Sequence, residues 1–109
     1  MHPPETLTRE DLRSLAYHEV VARHVRKNPQ AHLAHALHNI NKWRIEKPTV
    51  APLFDRWQQW LQLPVPEMLT LMLSHSQTSR DMRQVSPFSG ILSARERRDV
   101  LLRFRKGQE

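Results

Sequence analysis

Apolar residues recur along this chain at three- and four-residue spacing, in blocks parted by proline, asparagine and serine. No block alternates with period two for the roughly five or six residues that a strand needs. The pattern predicts an all-α fold, a single compact domain of five or six short helices that opens with a helical hairpin. Thr8, with Asp11 after it, predicts a capped helix over about 9–27 whose inner stripe is Leu15, His18, Ala22 and Val25. Asn28-Pro29 caps and opens a second helix over about 29–46, and Lys47-Pro48 ends it. Its stripe of Leu33, Ala36, Leu37, Ile40 and Trp43 is wide enough to fold back on the first helix across the short turn at Asn28.

Pro52 opens a third helix carrying Leu53, Phe54, Trp57, Trp60 and Leu61, which Pro64 stops. Pro66 starts a short fourth helix through Met68, Leu69, Leu71, Met72 and Leu73, apolar on so much of its circumference that it belongs at the centre. The polar run 74–79 caps a fifth helix, roughly 79–85, with Met82 and Val85 inward and Arg80 and Arg83 outward. Ser86-Pro87-Phe88-Ser89-Gly90 is a shaped turn. Pro87 fixes one backbone angle, Phe88 folds back on the core, and Gly90 supplies a positive φ. Ser93 and Glu96 fit a capping box, and Val100, Leu101 and Phe104 give the last helix one apolar side as far as Lys106-Gly107. Residues 1–109 thus form one domain, with 1–7 expected to be flexible and 106–109 frayed.

Composition narrows the function. A chain of 109 residues buries about 60–70% of its unfolded surface, so grooves and surfaces are expected as its working parts rather than a large enclosed cavity. With no cysteine and two glycines, disulfides, thiolate zinc sites and glycine-rich phosphate loops are excluded. Residues 1–5 lack a signal-peptide pattern and no apolar run approaches the roughly 20 residues that span a bilayer, so a cytoplasmic location is expected. The formal charge of +6 is uneven. It is about +3 over 1–47, about −1 over 48–79 and about +4 over 80–109.

Seven histidines raise the question of a metal. His32, His35 and His38 cannot share one ion, because His32 and His38 lie about 120° apart around the second helix and roughly 9 Å apart along it. A pH-titratable, partly exposed histidine face is expected instead, with no metal and no cofactor, and His18 reads as a packed core histidine. His75 between Ser74 and Ser76 is the nearest approach to a nucleophile and base, but neighbouring side chains point in different directions and no nucleophile elbow is present. An enzyme is not expected.

Two binding surfaces can be read. Residues 66–85 fit a helix-turn-helix in which Thr78, Ser79, Arg80, Arg83 and Gln84 reach phosphates and base edges, with Arg97 and Arg98 on the basic last helix adding contacts. Four arginine–phosphate contacts there give a log–log salt slope of roughly −3.6. For a protein partner, Trp57, Trp60, Phe88, Arg97 and Arg98 are the expected contact set, since tryptophan and arginine are enriched in interface hot spots. By their helical spacing, Trp43, Trp57 and Trp60 are also core candidates, and one left exposed would mark the partner surface.

The stretch from Met82 to Ser93, with its Arg83-Gln84 pair, Ser86-Pro87-Phe88-Ser89-Gly90-Ile91-Leu92-Ser93 core and following Glu96-Arg97, resembles small bacterial helical proteins from gene pairs of toxin–antitoxin type. Ala36, Asn39 and Trp43 and the Trp57/Trp60-Leu61 segment are similar too. The histidines of the second helix are not part of that pattern. The resemblance implies a non-enzymatic, antitoxin-like protein that neutralises a partner protein, and the basic helix-turn-helix reading leaves DNA binding or autoregulation as the alternative. Both monomer and homo-oligomer are compatible with the sequence.

Overall fold

The computed structural model describes residues 7–105, the side chain of Arg105 excepted. The predicted flexible start and frayed end, apart from Leu7, lie outside the described residues. Six α-helices follow in order: α1 (Arg9–Lys27), α2 (Pro29–Glu46), α3 (Ala51–Leu61), α4 (Val65–Met72), α5 (Gln77–Gln84) and α6 (Ala94–Arg105). A 3₁₀ turn over Pro48–Val50, absent from the sequence reading, joins α2 to α3. No strand occurs among the described residues.

The predicted caps set the boundaries. The Thr8 hydroxyl accepts from the Asp11 amide while the Asp11 carboxylate accepts from the Thr8 amide, both at 3.1 Å. Asn28 terminates α1 and its side chain caps α2 by accepting from the Ala31 amide, so the hairpin turns on one residue. α5 begins two residues earlier than expected, because the cap is Ser76, whose hydroxyl accepts from the Ser79 amide at 3.1 Å.

α1 is the hub, packing against α2, α4, α5 and α6, while α3 lies on α2. The core draws on every helix, from Val21, Val25 and Ile40 through Trp57, Met68 and Met72 to Met82, Phe88 and Val100. A radius of gyration of 14.1 Å, against about 13 Å for a compact chain of this length, marks one globule. His18 is buried, as expected, but α4 is not central, which corrects the expectation for that helix: α1 occupies the hub, and α4 packs on it through Met68, Leu69 and Met72 while Pro66, Glu67 and Thr70 are exposed. The His18 Nδ1 donates to the Ser14 carbonyl at 2.7 Å, and burial pushes its pKa down to about 4. Among the described residues no helix is long and apolar enough to cross a membrane.

Candidate partner-binding groove

The path from α4 to α6 is held by side chains that bond backbone carbonyls, and this settles where most of the expected site residues lie. In α5, the Ser79 hydroxyl donates to the Leu71 carbonyl at 2.6 Å. The Arg83 guanidinium, on a residue only 3% exposed, donates through one nitrogen to the carbonyls of Met72 and Ser74, both at 2.7 Å. Arg83 therefore satisfies the carbonyl of Met72, the last residue of α4, and that of Ser74 just beyond it, and burial lowers its pKa while Asp11 partly offsets that. Arg80, whose side chain is 11% exposed, forms an ion pair with Asp11 at 3.6 Å and donates to Gln77 at 2.9 Å. The expectation that Arg80 and Arg83 face outward, with Ser79, towards DNA is thereby corrected. Of the five residues read as a recognition surface on α5, Thr78 and Gln84 alone are exposed.

The aromatic part of the expected partner surface is corrected in the same way. Trp57 and Phe88 are fully buried and Trp60 nearly so. Their rings stack edge to face, Trp57 on Trp60 at 5.1 Å and on Phe88 at 5.7 Å, and the Trp57 indole N–H donates to the Met82 carbonyl at 2.8 Å. These three side chains build the core, and Trp60 alone of them retains a small exposed edge, 8% of its surface.

Three successive carbonyls of the turn after α5 are gripped by the amino-terminal hairpin. Asn39 donates to Pro87 at 2.9 Å, the Tyr17 hydroxyl to Phe88 at 3.3 Å, and the His35 Nε2 to Ser89 at 2.7 Å. His35 is thus a structural tie, whereas His38 is exposed as the histidine-face reading expects. Gly90 takes φ of 87°, as predicted, and lets Leu92 return to the core before Ser93 caps α6. The capping box is complete: Ser93 accepts from the Glu96 amide at 3.1 Å and donates its own amide to the Glu96 carboxylate at 2.9 Å. Glu96 also accepts from His24 of α1 at 2.9 Å, a tie between residues 72 positions apart. The Ser93 amide, then His24, hold the Glu96 carboxyl below its ordinary pKa.

This anchorage lays α6 antiparallel to α1, with Glu96 beside His24 at one end and Leu101 beside Arg13 at the other. Val100 and Phe104 turn inward, but Leu101 is 53% and Leu102 50% exposed, which corrects the expectation that Leu101 faces the core. Between the helices lie two adjoining depressions of about 170 and 400 Å³ that share Arg13 and Leu101. Tyr17, Arg97 and Val100 line the first; Arg98, Leu102 and Phe104 line the second. Burial pushes the Tyr17 hydroxyl above its usual pKa and the nearby Arg97 charge draws it part of the way back. Arg97 and Arg98 are exposed, as expected.

The groove between α1 and α6 is thus an apolar floor flanked by three guanidinium groups. Elsewhere, the depression between α2 and α3 is lined by Leu33, Ala34, Leu37, Leu61 and two glutamines, with no charged group to orient a ligand. Isolated exposed apolar side chains such as Ile45 are ordinary on protein surfaces. Among the described residues no three histidine or carboxylate side chains converge as a metal site. The sequence reading missed Arg13, Tyr17 and Leu102. The signal for the last was present, because Leu101 and Leu102 differ by about 100° around a helix and cannot both face a core that Val100 and Phe104 already fill. No family model matches the chain, and no curated protein or solved structure is significantly similar to it.

Proposed function

We propose that this chain is a non-enzymatic binding protein of antitoxin type, which neutralises a partner protein by seating part of it in the groove between α1 and α6. The observation that carries the reading is that two half-exposed leucines, Leu101 and Leu102, lie on one outer surface with Arg13, Arg97 and Arg98. Exposed leucines at a point where the two flanking helices meet form an apolar patch that a partner can cover, and arginine is a preferred hot-spot residue beside such a patch. The capping box and the ties from Asn39, Tyr17 and His35 hold α6 in place, which reduces the ordering cost of binding.

Co-expression with the product of the neighbouring gene tests the reading. Relief of toxicity and a co-purifying complex are expected, and both should be lost when Arg97→Glu and Arg98→Glu are combined. The absence of both relief and complex with the unaltered chain overturns it.

DNA binding is the second reading, favoured by the outward placement of Arg97 and Arg98 on a basic helix. With Arg83 buried and Arg80 engaged by Asp11, the two remaining arginines give a salt slope of about −1.8 in place of −3.6. Fluorescence anisotropy on a promoter fragment and a scrambled duplex across a salt series measures that slope. No binding to either duplex at low salt removes this reading.

A further inference from the structure

We infer that the groove between α1 and α6 takes an acidic amphipathic helix of the partner, with leucine-like side chains on the floor and carboxylates reaching Arg13, Arg97 and Arg98. The inference rests on the proposed protein-binding role and specifies the chemistry of what is bound. Charge complementarity decides the sign. Three arginines rim the apolar strip, so a basic or neutral segment would leave desolvated guanidinium groups without partners, whereas carboxylates can accept from them in the bidentate manner arginine favours.

Shape decides the conformation. Peptides are captured, among other ways, by addition to a sheet edge, by an aromatic groove that holds an extended proline-rich segment, by a groove that receives a helix, or by arginine clusters that bind acidic motifs, and the last of these accounts for the charge but sets no conformation. No strand exists among the described residues to be extended. Leu101 lies at the junction of the two depressions, with Val100 and the Tyr17 ring lining the first and Leu102 and the Phe104 ring the second. A leucine floor between two antiparallel helices fits a third helix laid along them. From Val100 to Phe104 the apolar lining runs about one turn of α6, roughly 6 Å, which matches apolar anchors at i and i+3 or i+4 of the incoming helix.

A displayed library of helical peptides of about four turns, selected on the full chain, reads the preference directly. Enriched sequences should carry apolar residues at that helical spacing, flanked by Asp or Glu. Their affinity should fall about tenfold or more with Leu101→Asp, and equally with Arg97→Glu combined with Arg98→Glu. The charge-reversed chain should regain binding to the same peptide remade with lysine in place of its acidic residues. Circular dichroism of each variant confirms that it is folded, and Leu101→Ala gives a milder truncation if the aspartate variant is not. Enrichment of basic or uncharged sequences, or failure of the reversed pair to recover, overturns the inference. So does binding of phosphatidylserine vesicles or duplex DNA, rather than peptide, with the same dependence on Arg97 and Arg98. If peptides bind as expected but co-expression brings no relief, the antitoxin reading fails and the groove chemistry stands. If relief occurs without acidic preference, the groove chemistry fails alone.

Discussion

α5 and α6 are both short, polar, arginine-bearing helices near the carboxy-terminal end, and the fold uses their charges in opposite ways. In α5 the arginines are internal fittings: Arg83 closes the end of α4 and Arg80 meets Asp11 of α1. In α6 the capping-box glutamate Glu96 reaches inward to His24, while Arg97 and Arg98 stay outside. The difference follows from what lies underneath. α5 sits over a helix end with unpaired carbonyls, which draw a long cationic donor inward. α6 lies along the flank of α1, where backbone groups are already bonded and an apolar seam through Val100 is enough. A run of arginines therefore says little about a binding surface until the neighbouring backbone is known.

The sharpest way to break this contrast is Arg83→Met, which keeps the bulk and strands two carbonyls. It should lower the unfolding free energy by about 3–4 kcal/mol in urea titration, because hydrogen bonds from charged donors are worth about 1.5–3 kcal/mol each. A loss under about 1 kcal/mol would mean that Arg83 is replaceable packing.

Acid should act on the same inner region. The pKa of His18 is depressed to about 4, first by burial and also by the Arg83 charge, so the folded state favours neutral imidazole. Its contribution is fully present above the unfolded value of about 6.5 and fades as pH falls from there towards 4, at most about 3 kcal/mol in all. Urea midpoints measured between pH 7 and 4 should decline over that window, and His18→Leu should flatten the decline.

Gly90→Ala tests the turn that delivers α6. The added methyl would meet His35 at 3.7 Å, an ordinary contact, so the positive φ alone sets an expected loss of about 1–2 kcal/mol. Thermal unfolding measures it. The smallest effect belongs to the outer face: Arg97→Ala with Arg98→Ala should shift stability by no more than about 0.5 kcal/mol, while peptide affinity falls. Equal losses of stability and affinity would erase the distinction between the two helices.

The helix plan was legible because its punctuation is local. Thr8, Asn28, Pro64 and the Ser93–Glu96 box each act within a turn of themselves. The burial of His18 could be read from its place in the apolar stripe of α1, whereas the many apolar residues of α4 misled, because three of them suffice to seat the helix and Pro66, Glu67 and Thr70 stay exposed. What could not be read were side chains whose partners are distant in sequence or are backbone groups: Arg83 on the end of α4, Glu96 on His24, and Asn39, Tyr17 and His35 on the turn at 87–89. Nothing in residue type separates an arginine that will meet a carbonyl from one that will meet water. Trp57 and Trp60 were open to both readings, since a tryptophan stripe at helical spacing suits a core and an interface equally until the turn carrying Phe88 is placed against it.

The walls of the groove are the outermost helices of the described chain, and that has a consequence in time. During synthesis at about 5–20 residues per second, α1 emerges seconds before α6 can join it. Until then there is one wall and no groove. A partner that needs both walls ignores nascent or truncated chains and responds to completed folding. Once seated, it bridges α1 and α6 and so opposes the release of α6 from α1; at a hundred times its dissociation constant it adds about 2.7 kcal/mol of stability. Such a partner would lengthen the lifetime of the chain that seats it.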